Sequence, residues 1–481
     1  MSSRIVVIGG GITGLAAANR ILEVKRASNL DIEPLLLEAS PRLGGTVGTE
    51  RLDGFLIEAG PDSFITEKPA ALRLCERLGL MPRLISTQAA NQKIYVVQRG
   101  RLVPLPDGFF LLAPTRVWPF IKTPLFSPTG KLRIAGELVL PRGEDHGDES
   151  LGAFVRRRFG TEALERVAQP LVGGIYAADP DLLSLTATMP RFREMELKRR
   201  SVILAMWKEQ RKRLHTAAGG SGARWSLFVT LAGGMQELVD SIANRLPEGS
   251  VRLNSPVREI SHSASDDNWH LTIAAKEVIT ARALVLATPA FRAASILSVI
   301  APAAADELSR IQYASTATVS LGFRTGDFSR ALNGFGFVVP AVEGRKIMAC
   351  TFSSLKYPGR APEGHVLLRA FVGGSLQPEL FEDDDTTMEK NVRTELRELV
   401  GVTAPPLFTR IRRHPDSMPQ YHVGHGDRIA RIETAIIRFP GVALAGSAYH
   451  GVGISDCIRT GEAAAEKVIE YVRSIDAAWR A

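Results

Sequence analysis

The sequence predicts an α/β fold: a discontinuous Rossmann-like nucleotide-binding domain, a mixed-sheet domain and an inserted α-helical domain. Three observations predict it. A strand, a glycine turn, a helix and a second strand open the chain. A short strand, another glycine turn and an amphipathic helix close it. Between them, a long stretch of helical periodicity interrupts segments that otherwise alternate as strands do. At 481 residues the chain is long enough for two or three domains.

Arg4-Ile-Val-Val-Ile8 is the β-branched run of a buried parallel strand. Gly9 to Gly14 follow, and Leu15, Ala18, Ile21 and Leu22 then recur at helical spacing. Leu35 to Leu37 form the next strand, ending at Glu38, which completes a βαβ unit. From Pro104 to Pro128 apolar pieces are broken repeatedly by proline, and helical patterns then run from Leu151 to His215. Gly219 to Gly222 read as a loop. Strands are expected at Val251–Leu253, Trp269–Ile273 and Ala283–Ala287, and again between Ala317 and Val372. Gly441 to Gly446 predict a closing strand, and a helix should run from about Ser455 to Val472.

Composition narrows the function classes. Hydrophobic residues make up 45% and charged residues 23%, an ordinary globular balance. No run approaches the about 20 apolar residues of a membrane-spanning helix. With the first strand starting at Arg4 there is no room for a signal peptide, so the cytoplasm is the expected compartment. Cys75, Cys350 and Cys457 are far apart and fit neither a disulfide framework nor a metal site. The net charge of +8 is concentrated between Lys198 and Arg213, where seven Lys or Arg face one Glu. That stretch lacks the interleaved aromatics of a nucleic-acid surface, and nucleic acid is not expected as a partner.

Gly9, Gly11 and Gly14 match GxGxxG, with Ile12 and Thr13 inside the turn. The first glycine permits the tight turn, the second lets backbone approach a pyrophosphate, and the third lets helix and strand pack closely. The phosphates then meet the free N–H groups of the helix start. Glu38 at the second strand end can accept hydrogen bonds from ribose hydroxyls. The loop after it, with Ala39, Arg42, Gly44 and Gly45, can lay donors and a cation along a second part of the pyrophosphate. Far downstream, Gly446 and Ser447 end a strand, and Val452, Gly453 and Ile454 start a helix. Its positive end would face a bound ring system and stabilise a reduced, anionic flavin. These two ends together predict FAD.

The motifs Val6–Leu15, Glu38–Gly45 and Glu58–Phe64, with Gly174–Ala177, Ala187–Pro190, Leu231–Met235, Tyr357–Pro362, Met418–Tyr421 and Gly451–Ser455, give the chain a specific resemblance. It resembles the bacterial HemY-type protoporphyrinogen or coproporphyrinogen oxidases, within the flavin amine oxidase and phytoene desaturase superfamily, almost end to end. The resemblance implies oxidation of a porphyrinogen to the porphyrin in haem biosynthesis. By the same resemblance, electrons would pass to FAD in three two-electron steps and on to oxygen, giving hydrogen peroxide. By resemblance, Gly60, Pro61 and Asp62 lie near the flavin and Val257 meets the adenine through its backbone. Lys93 falls where plant and animal relatives tend to carry a propionate-binding arginine, and Lys68 is the alternative basic partner. A lysine there supplies a point charge and not a bidentate fork. The resemblance also implies that Gly174 and Tyr176 line the macrocycle pocket and that Tyr357 stacks on a pyrrole. No residue is marked as a general base.

Three domains follow: FAD-binding at 1–90, 225–290 and 411–481, substrate-binding at 91–105 and 291–410, and a helical insertion at 106–224. By the same resemblance, the insertion would touch the inner face of the cell membrane through its basic helix and the Pro104–Pro128 segment, with Trp and Leu dipping into the interface. A ferrochelatase is the candidate receiver of the product, and a homodimer the candidate assembly. An amine or polyene oxidase of the same superfamily is the rival reading, but Thr46 follows the glycine pair where amine oxidases usually carry arginine. A catalytically silent flavin-binding protein is the other. No cysteine lies between Arg410 and Ser447, so the flavin is expected to be non-covalent.

Overall fold

The computed structural model describes residues 3–28, 30–110, 113–143, 147–217, 226–263, 265–274 and 276–480. A five-stranded parallel sheet runs in the order Val251–Arg252, Ile32–Leu37, Ser3–Ile8, Ala283–Leu286, Val442–Leu444. Its centre, Ile5 to Ile8, is buried on both faces, which is why the sequence there is continuously apolar. One face carries the helices Ile12–Ser28 and Ile454–Arg480. They approach closely at Gly461, where a side chain would lie 2.2 Å from the Thr13 carbonyl. The other face is covered by a small antiparallel sheet, Val257–Ser263, Asn268–Ile273 and Val278–Ala281, and by helices Ala290–Leu297, Pro302–Ser309 and His425–Ile436.

The second sheet has seven strands, ordered Phe408–Pro419, Tyr313–Arg324, His365–Gly373, Ala349–Phe352, Gly336–Val338, Ile94–Gln98, Arg101–Pro104. It is mixed, because Gly336–Val338 runs parallel to Ile94–Gln98 while the other pairs are antiparallel. Two domain limits shift. Phe408–Pro419 pairs along its length with Tyr313–Arg324, so a limit at 410 cuts through a strand. Helices Ala290–Leu297 and Pro302–Ser309 pack under the parallel sheet, so the mixed sheet starts at Tyr313 and not at 291.

The insertion packs short helices around one apolar core that includes Phe154, Phe159 and Phe192. Its basic helix, Val202–Ala217, is started by the buried Glu137 carboxylate. That group accepts the N–H of Val202 and Ile203 and pairs with the buried Arg158, placing an anion at the positive helix end. Ile203 and Met206 are buried and Trp207 donates to the Pro114 carbonyl at 3.1 Å. Ile203 and Met206 therefore face the core and are not free to dip into a bilayer, while Leu204 of the same helix is exposed. The expected loop Gly219–Gly222, Leu111 and Leu112 lie outside the described residues, as do the side chains of Lys212, Arg213 and Leu214. All three cysteines are buried. Among the described residues no helix is long and apolar enough to cross a membrane.

Candidate active site

The glycine turn has the shape its spacing predicts. Gly9 takes φ +106°, a conformation that L side chains rarely adopt. A Cβ on Gly14 would stand 1.8 Å from the Gly9 carbonyl, so only glycine lets the helix start this close to the strand. A Cβ on Gly11 would meet nothing within 4 Å: the turn opens there onto free space beside the start of a 17-residue helix. That is a cradle a phosphate can enter and a side chain would fill.

Glu38 sits at the strand end but does more than await a ribose. One oxygen accepts Gly10 N–H at 2.5 Å and the other accepts Ser40 N–H at 2.7 Å. The carboxylate thereby ties the turn to the next loop, and its remaining lone pairs are available to hydroxyl donors. Arg42 donates to the carbonyls of Leu43, Gly45 and Val47, so its cation shapes the loop from within. Gly44 N–H bonds the Gly10 carbonyl at 2.8 Å, which lays Gly44 and Gly45 alongside Gly11. Ala39 is exposed beside them. Ser255 N–H bonds the Glu38 carbonyl at 2.8 Å, which brings the Val257 strand start to the same edge.

Gly60 and Pro61 follow the hairpin Thr49–Leu52 and Phe55–Glu58. A Cβ on Gly60 would lie 1.9 Å from the Thr46 carbonyl, which fixes the Gly60 loop against the Gly44–Gly45 loop. The loop rests on a buried polar cluster that pattern reading alone missed. Arg369 donates to the Gly60 carbonyl at 2.5 Å, and Lys356 pairs with Asp62 at 2.9 Å. Burial pushes the Asp62 carboxyl up, but Lys356 and Arg369 outweigh it and hold it at about 2. Glu58, only 5% exposed, is pushed up to about 7 by burial, with Thr49, Arg360 and Met235 N–H opposing. Tyr357 is buried in the same cluster, its ring 5.1 Å from Lys356 Nζ and 5.7 Å from the Arg360 guanidinium. In this structure its neighbours are thus charged side chains of the chain itself. A small cavity lies between these groups.

At the other end, Gly446 takes φ +138° and Gly451 φ +125°. Tyr421 joins their segments: its hydroxyl donates to Ser447 O at 2.5 Å and accepts Gly451 N–H at 2.8 Å. Val452 and Gly453 then lead into the closing helix at Ile454. In its first turn, Asp456 accepts from Lys68 Nζ at 2.6 Å. Tyr176, whose hydroxyl burial and the Asp456 charge push up to about 12, comes from the insertion; its hydroxyl donates to the Thr188 carbonyl at 3.3 Å and its own carbonyl accepts from Gln420 at 3.2 Å. Gly174 lies exposed on the same helix, Gln169–Tyr176, which ends where Ala177 turns left-handed at φ +49°. Lys93 is apart: its side chain is exposed and its carbonyl holds Phe335 N–H at 2.8 Å. Tyr421 and Asp456 could have been found from sequence, because both stand in or beside the motifs quoted above. Lys356 and Arg360 likewise stand beside and within the Tyr357–Pro362 motif, whereas Arg369, in the middle of a strand, carries no such mark.

A phosphate cradle, a second glycine turn on the same parallel sheet and a mixed sheet alongside define a multi-domain dinucleotide-dependent oxidoreductase. Residues 12–469 match the family described as flavin containing amine oxidoreductase, and the chain belongs to that family; its cofactor is a flavin. The chain is 38% identical to the coproporphyrinogen III oxidase of Bacillus subtilis (strain 168), over 98% of each chain. It is 29% identical to the chloroplastic protoporphyrinogen oxidase of Nicotiana tabacum, over 97% of this chain and 85% of that one. A crystal structure from Exiguobacterium sp. 255-15, provisionally named a protoporphyrinogen oxidase, superposes with a TM-score of 0.84 at 33% identity. That match covers 97% of this chain and 99% of the other.

Proposed function

We propose that this chain oxidises coproporphyrinogen III to the porphyrin in haem biosynthesis, using non-covalent FAD and oxygen and releasing hydrogen peroxide. The observation that carries the reading is the end-to-end similarity to the Bacillus subtilis enzyme, seen alongside an intact phosphate cradle. Two further relatives named coproporphyrinogen III oxidase, at 37% and 34% identity, favour this substrate over the protoporphyrinogen of the 29% relatives.

FAD, when bound, supplies the electron acceptor. Gly9 to Gly14 would hold its pyrophosphate, Glu38 its ribose, and Gly446, Ser447 and Val452 to Ile454 its ring system. Gly60, Pro61 and Asp62 would form the opposite wall, kept rigid by Arg369 and Lys356. Gly174, Tyr176 and Lys68 would border the macrocycle. The Cys457 thiol is buried and pushed up to about 11, so it is no nucleophile at neutral pH, which supports non-covalent attachment. Acid precipitation should therefore release all the flavin into the supernatant.

Membrane contact is better supported at the Pro104–Pro128 side of the insertion than at the basic helix. Val117, Trp118 and Ile121 are half or more exposed, Leu132 and Val139 more so. Lys122 lies over Trp118, and Lys131 ties the two short helices by donating to the Ile121 carbonyl. Apolar tips among cations suit an anionic bilayer surface.

The deciding experiment is aerobic turnover of the purified yellow protein with each porphyrinogen, following porphyrin fluorescence and peroxide against an enzyme-free control. Faster oxidation of the coproporphyrin precursor, with peroxide, is expected. No acceleration with either precursor would overturn the substrate assignment.

A further inference from the structure

Lys68 and Asp456 are 388 residues apart in sequence, yet their side chains meet at 2.6 Å. Their burial is unequal: the Lys68 side chain is 54% exposed and the Asp456 carboxylate 8%. The carboxylate cannot easily move. It is folded back over the glycine turn, so that a Cβ on Gly451 would lie 2.4 Å from it. Its other oxygen lies 3.9 Å from Arg459. The lysine, by contrast, is a flexible stem whose ammonium would otherwise wander in solvent. Of its three N–H donors one is taken by Asp456, leaving two for an incoming acceptor.

We infer that Asp456 is a positioning residue for substrate: it anchors Lys68 so that the ammonium presents its free donors to a propionate of the macrocycle. The inference rests on the porphyrinogen reading above. The pair is neutral, so it does not draw anions in general; it recognises a carboxylate by directed hydrogen bonds on an already ordered cation. Val452, four residues before Asp456, packs against the apolar core of the insertion, so the anchor stands where the insertion and the closing helix meet.

The test uses the holoenzyme and the variants Asp456→Asn, Lys68→Met and the double variant. KM and kcat are measured with coproporphyrinogen III, and affinity for the stable product coproporphyrin III by fluorescence titration. Thermal stability and flavin content are read in parallel. Each single variant should raise KM and weaken product binding about tenfold, the worth of one charge-assisted hydrogen bond, with kcat little changed. The double variant should be no worse than Lys68→Met, since Asp456 acts only through the lysine. An Asp456→Asn effect that persists undiminished beside Lys68→Met would overturn the proposal, as would a loss of stability or flavin with KM unmoved. In either case wild-type turnover stays intact, which separates this failure from that of the substrate reading. A wild-type enzyme that neither oxidises coproporphyrinogen III nor binds coproporphyrin III would overturn both.

Discussion

Replacing Gly11 by alanine separates the cradle's function from its folding. The new methyl would meet no protein atom within 4 Å, and the backbone there does not take a positive φ. The apoprotein should lose nothing and gain slightly from a stiffer unfolded chain, leaving its Tm within about 2 °C of wild type. The methyl would, however, occupy the space assigned to the pyrophosphate. Crowding of that kind costs about 2–3 kcal/mol, so FAD should bind roughly 30- to 150-fold more weakly. Gly14→Ala is the contrast. Its methyl would lie 1.8 Å from the Gly9 carbonyl, so helix and strand must separate. The cost falls near the top of the range of about 1–3 kcal/mol for overpacking, offset by about 1 kcal/mol of helix propensity. That variant should lose stability and FAD together. The assay is reconstitution of apoprotein with FAD, followed by quenching of flavin fluorescence, with thermal melts of each apoprotein. A Gly11→Ala apoprotein that takes up FAD with wild-type affinity would refute the placement of the phosphates.

Glu58 is neutral in the folded state up to about 7, well above its unfolded value. Its contribution to stability is therefore complete below pH 4.5 and is lost as pH rises through 7, by at most about 3 kcal/mol. Glu58→Gln should flatten that decline in a pH series of urea melts. Asp62 is shifted the other way, to about 2, so its contribution is present above pH 4 and lost as acid approaches pH 2. Asp62→Asn leaves Lys356 and Arg369 without their carboxylate and should cost about 3–5 kcal/mol at neutral pH; an unchanged urea midpoint would contradict the ion-pair role. Trp118→Ala with Ile121→Ala should reduce co-sedimentation with anionic vesicles while leaving turnover in detergent-free buffer intact, because both side chains are exposed on one short helix of the insertion.

The sequence made the parallel sheet legible at both ends because its strands are buried on both sides and its turns depend on glycine. Gly9 and Gly14 take the tight turn and the close helix–strand approach that their spacing implies, and Gly11 leaves the turn open. Local patterns were less informative wherever a residue's partner lies far away. Arg42 reads as a free cation in a glycine loop, yet three carbonyls of that loop claim it. The basic helix reads as amphipathic and membrane-facing, but Ile203, Met206 and Trp207 turn inward on a core built from other helices. Domain limits slipped at Phe408–Pro419 because strand pairing, and not strand character, decides which sheet a segment joins. The polar cluster beneath Gly60 draws Glu58, Asp62, Lys356, Arg360 and Arg369 from separate elements. No window of sequence contains that relation.

The strand order of the parallel sheet also constrains how the protein comes into being. Ser3–Ile8 needs Ala283–Leu286 beside it, and that strand needs Val442–Leu444. The helix after the glycine turn needs the closing helix to cover it. At about 5–20 residues per second, roughly 20 to 90 s of synthesis separate the first strand from the last. Throughout that interval the opening βαβ unit has an apolar face and a sheet edge without their final partners, a state prone to aggregation. A flavin arriving early finds only half a site. Cofactor loading is thus a late event, and a chain that ends before the closing helix should emerge colourless however intact its glycine turn.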